Sequence, residues 1–202
     1  MRELWIKINP SLPEKRKKAL IKETSDLCTT YIVEPTDVEM ARQAGAKNIA
    51  SPEKGDILLT DRIDEVSSAK ASQKLTCITA TISSKGDEEK IVEAANALTK
   101  YIAVKCSDWK VIPLENLIAK VHGKSKLLAW VSNVQETKLA LEVLEIGVDG
   151  VIAEFSDPME IKGIYQEMKK VKTRAKEKEA AEKISLVPAK VVELKPLGSG
   201  AR

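Results

Sequence analysis

Short apolar runs alternate with longer amphipathic stretches along most of the chain. The first run, Leu4-Trp5-Ile6-Lys7-Ile8, is closed by Asn9-Pro10 and reads as a strand. A helix follows from about Pro13, a residue tolerated at the first helical position, to about Leu27. Thr30 to Glu34 is the next strand, ended by Pro35, and Thr36 to Ala44 a short helix stopped by Gly45. Asn48-Ile49-Ala50 and Asp56 to Thr60 read as two short strands. Leu75 to Ile82, rich in Thr and Ile, is a longer one. Ser84 precedes a helix from about Asp87 to Leu98, with Ile91, Ala94, Ala95 and Leu98 on one face. Tyr101 to Cys106 is a strand, Pro113 to about Val121 a helix, and Leu127 to Val131 a strand. Ser132 or Asn133 is placed to cap the helix behind it, which carries Leu139, Leu141, Val143, Leu144 and Ile146 and ends at Gly147. Gly150 to Glu154 closes the series.

Strands that alternate with helices imply crossover units and a parallel sheet. The pattern therefore predicts an α/β fold, a (β/α) barrel-like parallel sheet over residues 1–157, with a doubly wound sheet as the alternative. After Asp157-Pro158 the pattern changes. Residues 158–183 read as one long helix whose second half, Lys169 to Lys183, carries mixed-sign charges and little apolar content, as a solvated, projecting helix would. Ile184 to Leu194 alternates like a strand and leads into Gly198-Ser199-Gly200, so 184–202 read as the start of a β-rich region.

Composition narrows the class. With 202 residues, 43% hydrophobic and 31% charged, the chain can bury a real core and is not disordered. A formal charge of +3, spread over 33 basic and 30 acidic residues, argues against a nucleic-acid partner. One Phe, three Trp and three Tyr also leave few platforms for base stacking. No apolar run spans a membrane and MRELWIKINP is no secretory signal, so a cytoplasmic protein is expected. Cys28, Cys77 and Cys106 are widely spaced within or beside apolar runs and read as reduced, mostly buried thiols. A lone histidine, His122 before Gly123, suits a helix C-terminus better than a metal site or a catalytic triad, and no metal is expected.

In a parallel barrel, chemistry sits at the carboxyl ends of strands. Those ends are Lys7 and Asn9, Glu34, Asp61 and Arg62, Ser83 and Ser84, Lys105, Ser132 and Asn133, and Glu154. Glu34 and Glu154 end apolar runs and are expected to be partly buried. Lys105, after Ile102-Ala103-Val104, is expected to be partly desolvated, as a lysine that acts as a base or forms an imine must be. The segment Ser107 to Ile118 packs Asp108, Trp109, Lys110, Glu115 and Asn116 into one strand-to-helix connection. No GxGxxG follows a strand and no phosphate-binding loop of the Walker type occurs.

The segment Asp108-Trp109-Lys110-Val111-Ile112-Pro113-Leu114-Glu115-Asn116-Leu117-Ile118-Ala119 resembles the hallmark segment of the archaeal type of 3-dehydroquinate synthase. Glu3 to Lys7, Glu142 to Glu154 and Lys190 to Gly200 are similar to that family as well, so the resemblance covers essentially the whole chain. It implies NAD-dependent oxidative deamination and cyclisation of an amino sugar acid, 2-amino-3,7-dideoxy-D-threo-hept-6-ulosonate, to 3-dehydroquinate, a step of the shikimate route to aromatic amino acids. From rim position, Lys105, Asp108, Lys110, Glu115 and Glu154 are expected to do acid–base work. Glu34, Asn116, Ser132 and Asn133 are expected to bind the small-molecule substrate. The family continues into a β-rich C-terminal region, where NAD contacts are expected, and Ala201 stands where the family has Asp. A homo-oligomer is left open. Two other readings also stay open: an aldolase-like barrel with an imine at Lys105, and a non-catalytic relative acting as a subunit.

Overall fold

A computed structural model describes residues 2–97, 99–106, 111–143 and 146–181. The strand β1 (Glu3–Lys7) leads into helix α1 (Glu14–Thr24), and β2 (Thr30–Ile32) into a 3-10 turn (Pro35–Asp37) and α2 (Val38–Gln43). Then come β3 (Ile49–Ser51), β4 (Ile57–Thr60), α3 (Ile63–Ala71), β5 (Leu75–Ile82) and α4 (Lys85–Asn96). The chain continues through β6 (Tyr101–Cys106), α5 (Val111–Val121), β7 (Lys126–Val131), α6 (Val134–Glu142), β8 (Gly150–Ala153) and α7 (Pro158–Ala181). All eight strands pair in parallel in sequence order, and β8 returns to β1 (Leu4 opposite Val151, Ile6 opposite Ala153), so the sheet is a closed barrel and not a doubly wound sheet.

Strand alternation sorts the apolar side chains into two cores. Trp5, Ile32, Ala50, Ile57, Cys77, Ala103, Leu128 and Ile152 fill the barrel interior. Leu4, Ile6, Tyr31, Ile78, Val104, Ala129, Val151 and Ala153 face outward, under Leu20, Ile21, Ile91, Leu117, Ile161 and Ile164 of the helices. The floor of the barrel is polar. Glu3 accepts a hydrogen bond from the Trp5 indole at 2.8 Å and pairs with Lys126, whose ammonium this hydrogen bond holds above its usual pKa. Tyr101 packs edge-on against Trp5, centroids 4.9 Å apart.

The strands and most helices match the hydrophobic pattern, with ends shifted by a few residues. Three findings differ from it. No element is predicted between Thr60 and Leu75, yet α3 forms there. The helix after β7 stops at Glu142, short of Gly147, whose φ of 64° lets the chain turn where an added Cβ would lie 2.1 Å from the Leu141 carbonyl oxygen. The third concerns the first half of the final helix, which the pattern leaves unplaced: Ile161, Ile164 and Met168, with Val171 just beyond, are buried, and it packs on α6 and α1. The expected strand over 184–194 and the region 184–202 lie outside the described residues.

One crossover lacks its helix. Residues 52–56 alone connect β3 to β4, where parallel neighbours normally need a dozen residues or more. Asp56 ties this turn down, accepting from the Ile49 amide at 2.9 Å and from Arg42 at 2.7 Å. Gly55 permits it, since a Cβ there would lie 2.6 Å from both the Ile49 carbonyl oxygen and the Ser51 nitrogen.

Candidate active site

Inward positions at the carboxyl ends of six strands surround a cavity of about 340 Å³. Lys7 comes from β1, Asp61 from the end of β4, Thr79 and Thr81 from β5, Lys105 from β6, Trp130 from β7 and Glu154 from the end of β8. They meet because strand pairing keeps one parity. Thr81 lies opposite Lys105, and Trp130 opposite Ile152, two residues before Glu154. Lys7 Nζ stands 3.4 Å from Glu154 Oε1 and 5.5 Å from the centroid of the Trp130 ring. The mouth therefore holds two ammonium groups, two carboxylates, two hydroxyls and an indole over the apolar barrel interior.

Of the residues expected at the site, the structure brings Lys105 and Glu154 to this cavity. Both are exposed, as is Glu34, so the partial burial expected of all three is corrected: the rim of this barrel is open to water. Glu34 starts the 3-10 turn after β2 and does not line the cavity. Glu115, half-buried, and Asn116, exposed, lie on α5 away from it. Ser132 and Asn133 are committed to the start of α6. The Ser132 amide donates to Glu136 at 2.6 Å, and Asn133 Oδ1 accepts from the Glu136 amide at 2.8 Å. Both instead line a neighbouring apolar groove with Val134, Phe155, Met159 and Ile164. Asp108 and Lys110 lie outside the described residues.

Lys7 and Asp61 stood among the strand ends but had no assigned role, and Thr79, Thr81 and Trp130 were missed. Their signal was parity. In Leu75 to Ile82, Thr79 and Thr81 share a face with Cys77 while Ile78 and Ile82 take the other, so threonines that suit any strand also face the mouth here. Elsewhere the titratable groups are structural: burial pushes the Cys28 thiol up to about 12 and raises that of Cys77 further, as befits inert core thiols. Among the described residues, no three His, Cys, Asp or Glu side chains converge to hold a metal ion.

Eight parallel strands closed into a ring, with charged side chains gathered at their carboxyl ends, define a TIM-barrel-like α/β protein with a cavity where such barrels place chemistry. Sequence comparison takes the assignment further. The chain belongs to the family of the 3-dehydroquinate synthase II N-terminal domain, whose model matches residues 1–169. It is 33% identical over 207 residues to the 3-dehydroquinate synthase of Methanocaldococcus jannaschii, covering 98% of this chain and 54% of that protein. It is 32% identical over 204 residues to that of Methanococcus vannielii, with the same coverage. The chain thus spans about half the length of the curated relatives it matches. Solved structures share its fold. The 3-hexulose-6-phosphate synthase of Salmonella typhimurium superposes with a TM-score of 0.62 at 15% identity, over 84% of this chain and 99% of that one. Orotidine 5'-phosphate decarboxylase of Pyrococcus horikoshii gives 0.61 at 15% identity, over 81% and 99%.

Proposed function

We propose that this barrel is the substrate-holding part of a 3-dehydroquinate synthase that oxidatively deaminates and cyclises 2-amino-3,7-dideoxy-D-threo-hept-6-ulosonate to 3-dehydroquinate. One observation carries the reading: in a chain of this family, the strand ends enclose a cavity the size of a sugar acid, lined by Lys7, Asp61, Lys105 and Glu154.

The oxidant implied for such a reaction is NAD, which accepts the hydride removed beside the amine. The described residues do not fit it. A pyrophosphate needs free amides at a helix N-terminus or a glycine-rich turn. Here no glycine lies in the turns after the six strands that line the cavity, and Gly55, after β3, is packed against the Ile49 carbonyl and the Ser51 amide. At three of the helix starts an acid of the chain already takes the neighbouring amides: Asp87 accepts from the Ser83 and Ser84 amides at 3.1 and 2.9 Å. Glu136 accepts from the Ser132 amide at 2.6 Å and Asp157 from the Met159 amide at 2.9 Å. No step is therefore routed through the dinucleotide.

What remains to this chain is proton transfer and charge stabilisation. Once the amine has left, ring closure requires a carbon beside a ketone to lose a proton and attack a second carbonyl. Lys105 has no carboxylate partner among the described residues, so its ammonium is available to hold the enolate oxygen as charge develops. Asp61 and Glu154 are the carboxylates at the cavity able to remove the proton or return one to the new alkoxide. Calorimetric titration of the purified chain with 3-dehydroquinate, whose carbonyl and hydroxyl oxygens the Lys105 ammonium is placed to hold, should show saturable binding, and Lys105→Ala should weaken it by about tenfold. No binding by the unaltered chain, or binding by Lys105→Ala within twofold of it, would overturn the proposal.

A further inference from the structure

We infer that Lys7 and Glu154 together form the dock for the α-amino-acid head of the substrate, Lys7 taking its carboxylate and Glu154 its ammonium, with Trp130 as the wall behind them. The inference rests on the function proposed above and adds to it the orientation of the ligand.

The two side chains come from neighbouring strands, Lys7 following Ile6 of β1 and Glu154 following Ala153 of β8, which are paired. They therefore rise side by side into the cavity. Their contact is loose. At 3.4 Å it is longer than a charge-assisted hydrogen bond of about 2.7–2.9 Å, and the side chains keep 32% and 40% of their exposure. An exposed ion pair of this kind gains little from its own attraction, so a ligand that offers both charges displaces it at small cost. An α-amino acid offers those charges on adjoining atoms in the opposite sense. Laid antiparallel to the pair, it satisfies both ends at once. Lys7 Nζ also stands 5.5 Å from the Trp130 ring centroid, so an anion drawn to it lies beside the indole, and the methylene next to the head packs on that face.

The rest of the cavity supports this direction. Asp61, just after β4, and Thr79 and Thr81 on β5 stand across the ring from β8 and β1, and Lys105 on β6 lies between them and Trp130 on β7. Hydroxyls and a cation there suit the hydroxyl- and ketone-bearing end of the ligand, which the chemistry assigned to Lys105 requires. Glu154 then has a selective task. The substrate carries an ammonium and 3-dehydroquinate does not, so Glu154 recognises the first and, as an anion near the product's carboxylate, gains nothing from the second.

The test is calorimetric titration of the full chain, without NAD, using the amino sugar acid and 3-dehydroquinate as separate ligands. Glu154→Gln should weaken the amino sugar acid by about tenfold or more and leave 3-dehydroquinate within about twofold. Lys7→Gln should weaken both by about tenfold, and Lys7→Arg, which keeps the charge, should restore both. Melting curves superimposable on the unaltered chain's confirm that the variants fold. Equal losses for both ligands in Glu154→Gln, or unchanged binding in Lys7→Gln, would overturn the dock while leaving the proposed function standing. Failure of the unaltered chain to bind either ligand would overturn both.

Discussion

Gly55 and Asp87 show how single residues set the shape of the mouth. Gly55 sits in the turn that carries β3 straight into β4, with backbone atoms 2.6 Å from where a Cβ would be. Gly55→Ala must push those strands apart and should cost about 1–3 kcal/mol in thermal or urea unfolding, as overpacking does; an unchanged midpoint would refute the tight turn. Asp87 Oδ2 collects the amides and hydroxyls of Ser83 and Ser84, the hydroxyls both at 2.9 Å. The amide and hydroxyl of Ser83 contribute most to drawing its carboxyl down to about 2. Its stabilisation is thus present above the ordinary carboxyl pKa near 4 and is lost as the pH falls toward 2. Asp87→Asn should melt below the unaltered chain at pH 7, with the gap closing between pH 4 and pH 2. A gap independent of pH would show that charge is not what Asp87 contributes.

At the scale of elements, α7 closes the ring of helices. Its buried stripe of Ile161, Ile164, Met168 and Val171 follows helical spacing and lies against α6 and α1. Ile164→Ala should therefore cost about 2–4 kcal/mol in urea unfolding, and a loss below about 0.5 kcal/mol would mean that α7 does not belong to the core. Strands were the most legible elements, because a parallel sheet buried on both faces writes continuous apolar runs such as Tyr101-Ile102-Ala103-Val104. The α3 segment was not legible: Ile63, Val66 and Ala69 are its core-facing residues among serines and charges, too faint a stripe to read. The stripe of α7 was hidden for another reason, its neighbouring lysines and glutamates masking four apolar positions at correct spacing. At the site, Lys105 and Glu154 could be read from their places after apolar runs. Thr79, Thr81 and Trp130 could not, because their role depends on which face of each strand turns inward, and only the closed register decides that.

Across the whole molecule, the barrel separates two tasks. Its floor is filled by Trp5, Tyr101 and the Glu3–Lys126 pair, which take up one another's hydrogen-bonding groups. Its mouth keeps loose, exposed charges over a cavity of about 340 Å³. At three helix starts Asp87, Glu136 and Asp157 already take the amides that a phosphate would use. The central claim is that this mouth is the substrate site, and a crystal structure of the chain grown with saturating 3-dehydroquinate tests it most directly. The account predicts the ligand between the strand ends, with its carboxylate within hydrogen-bond distance of Lys7 and its ring beside Lys105. Ligand density anywhere else, such as the apolar groove between Ser132 and Ile164, or a mouth left without ligand, would contradict it.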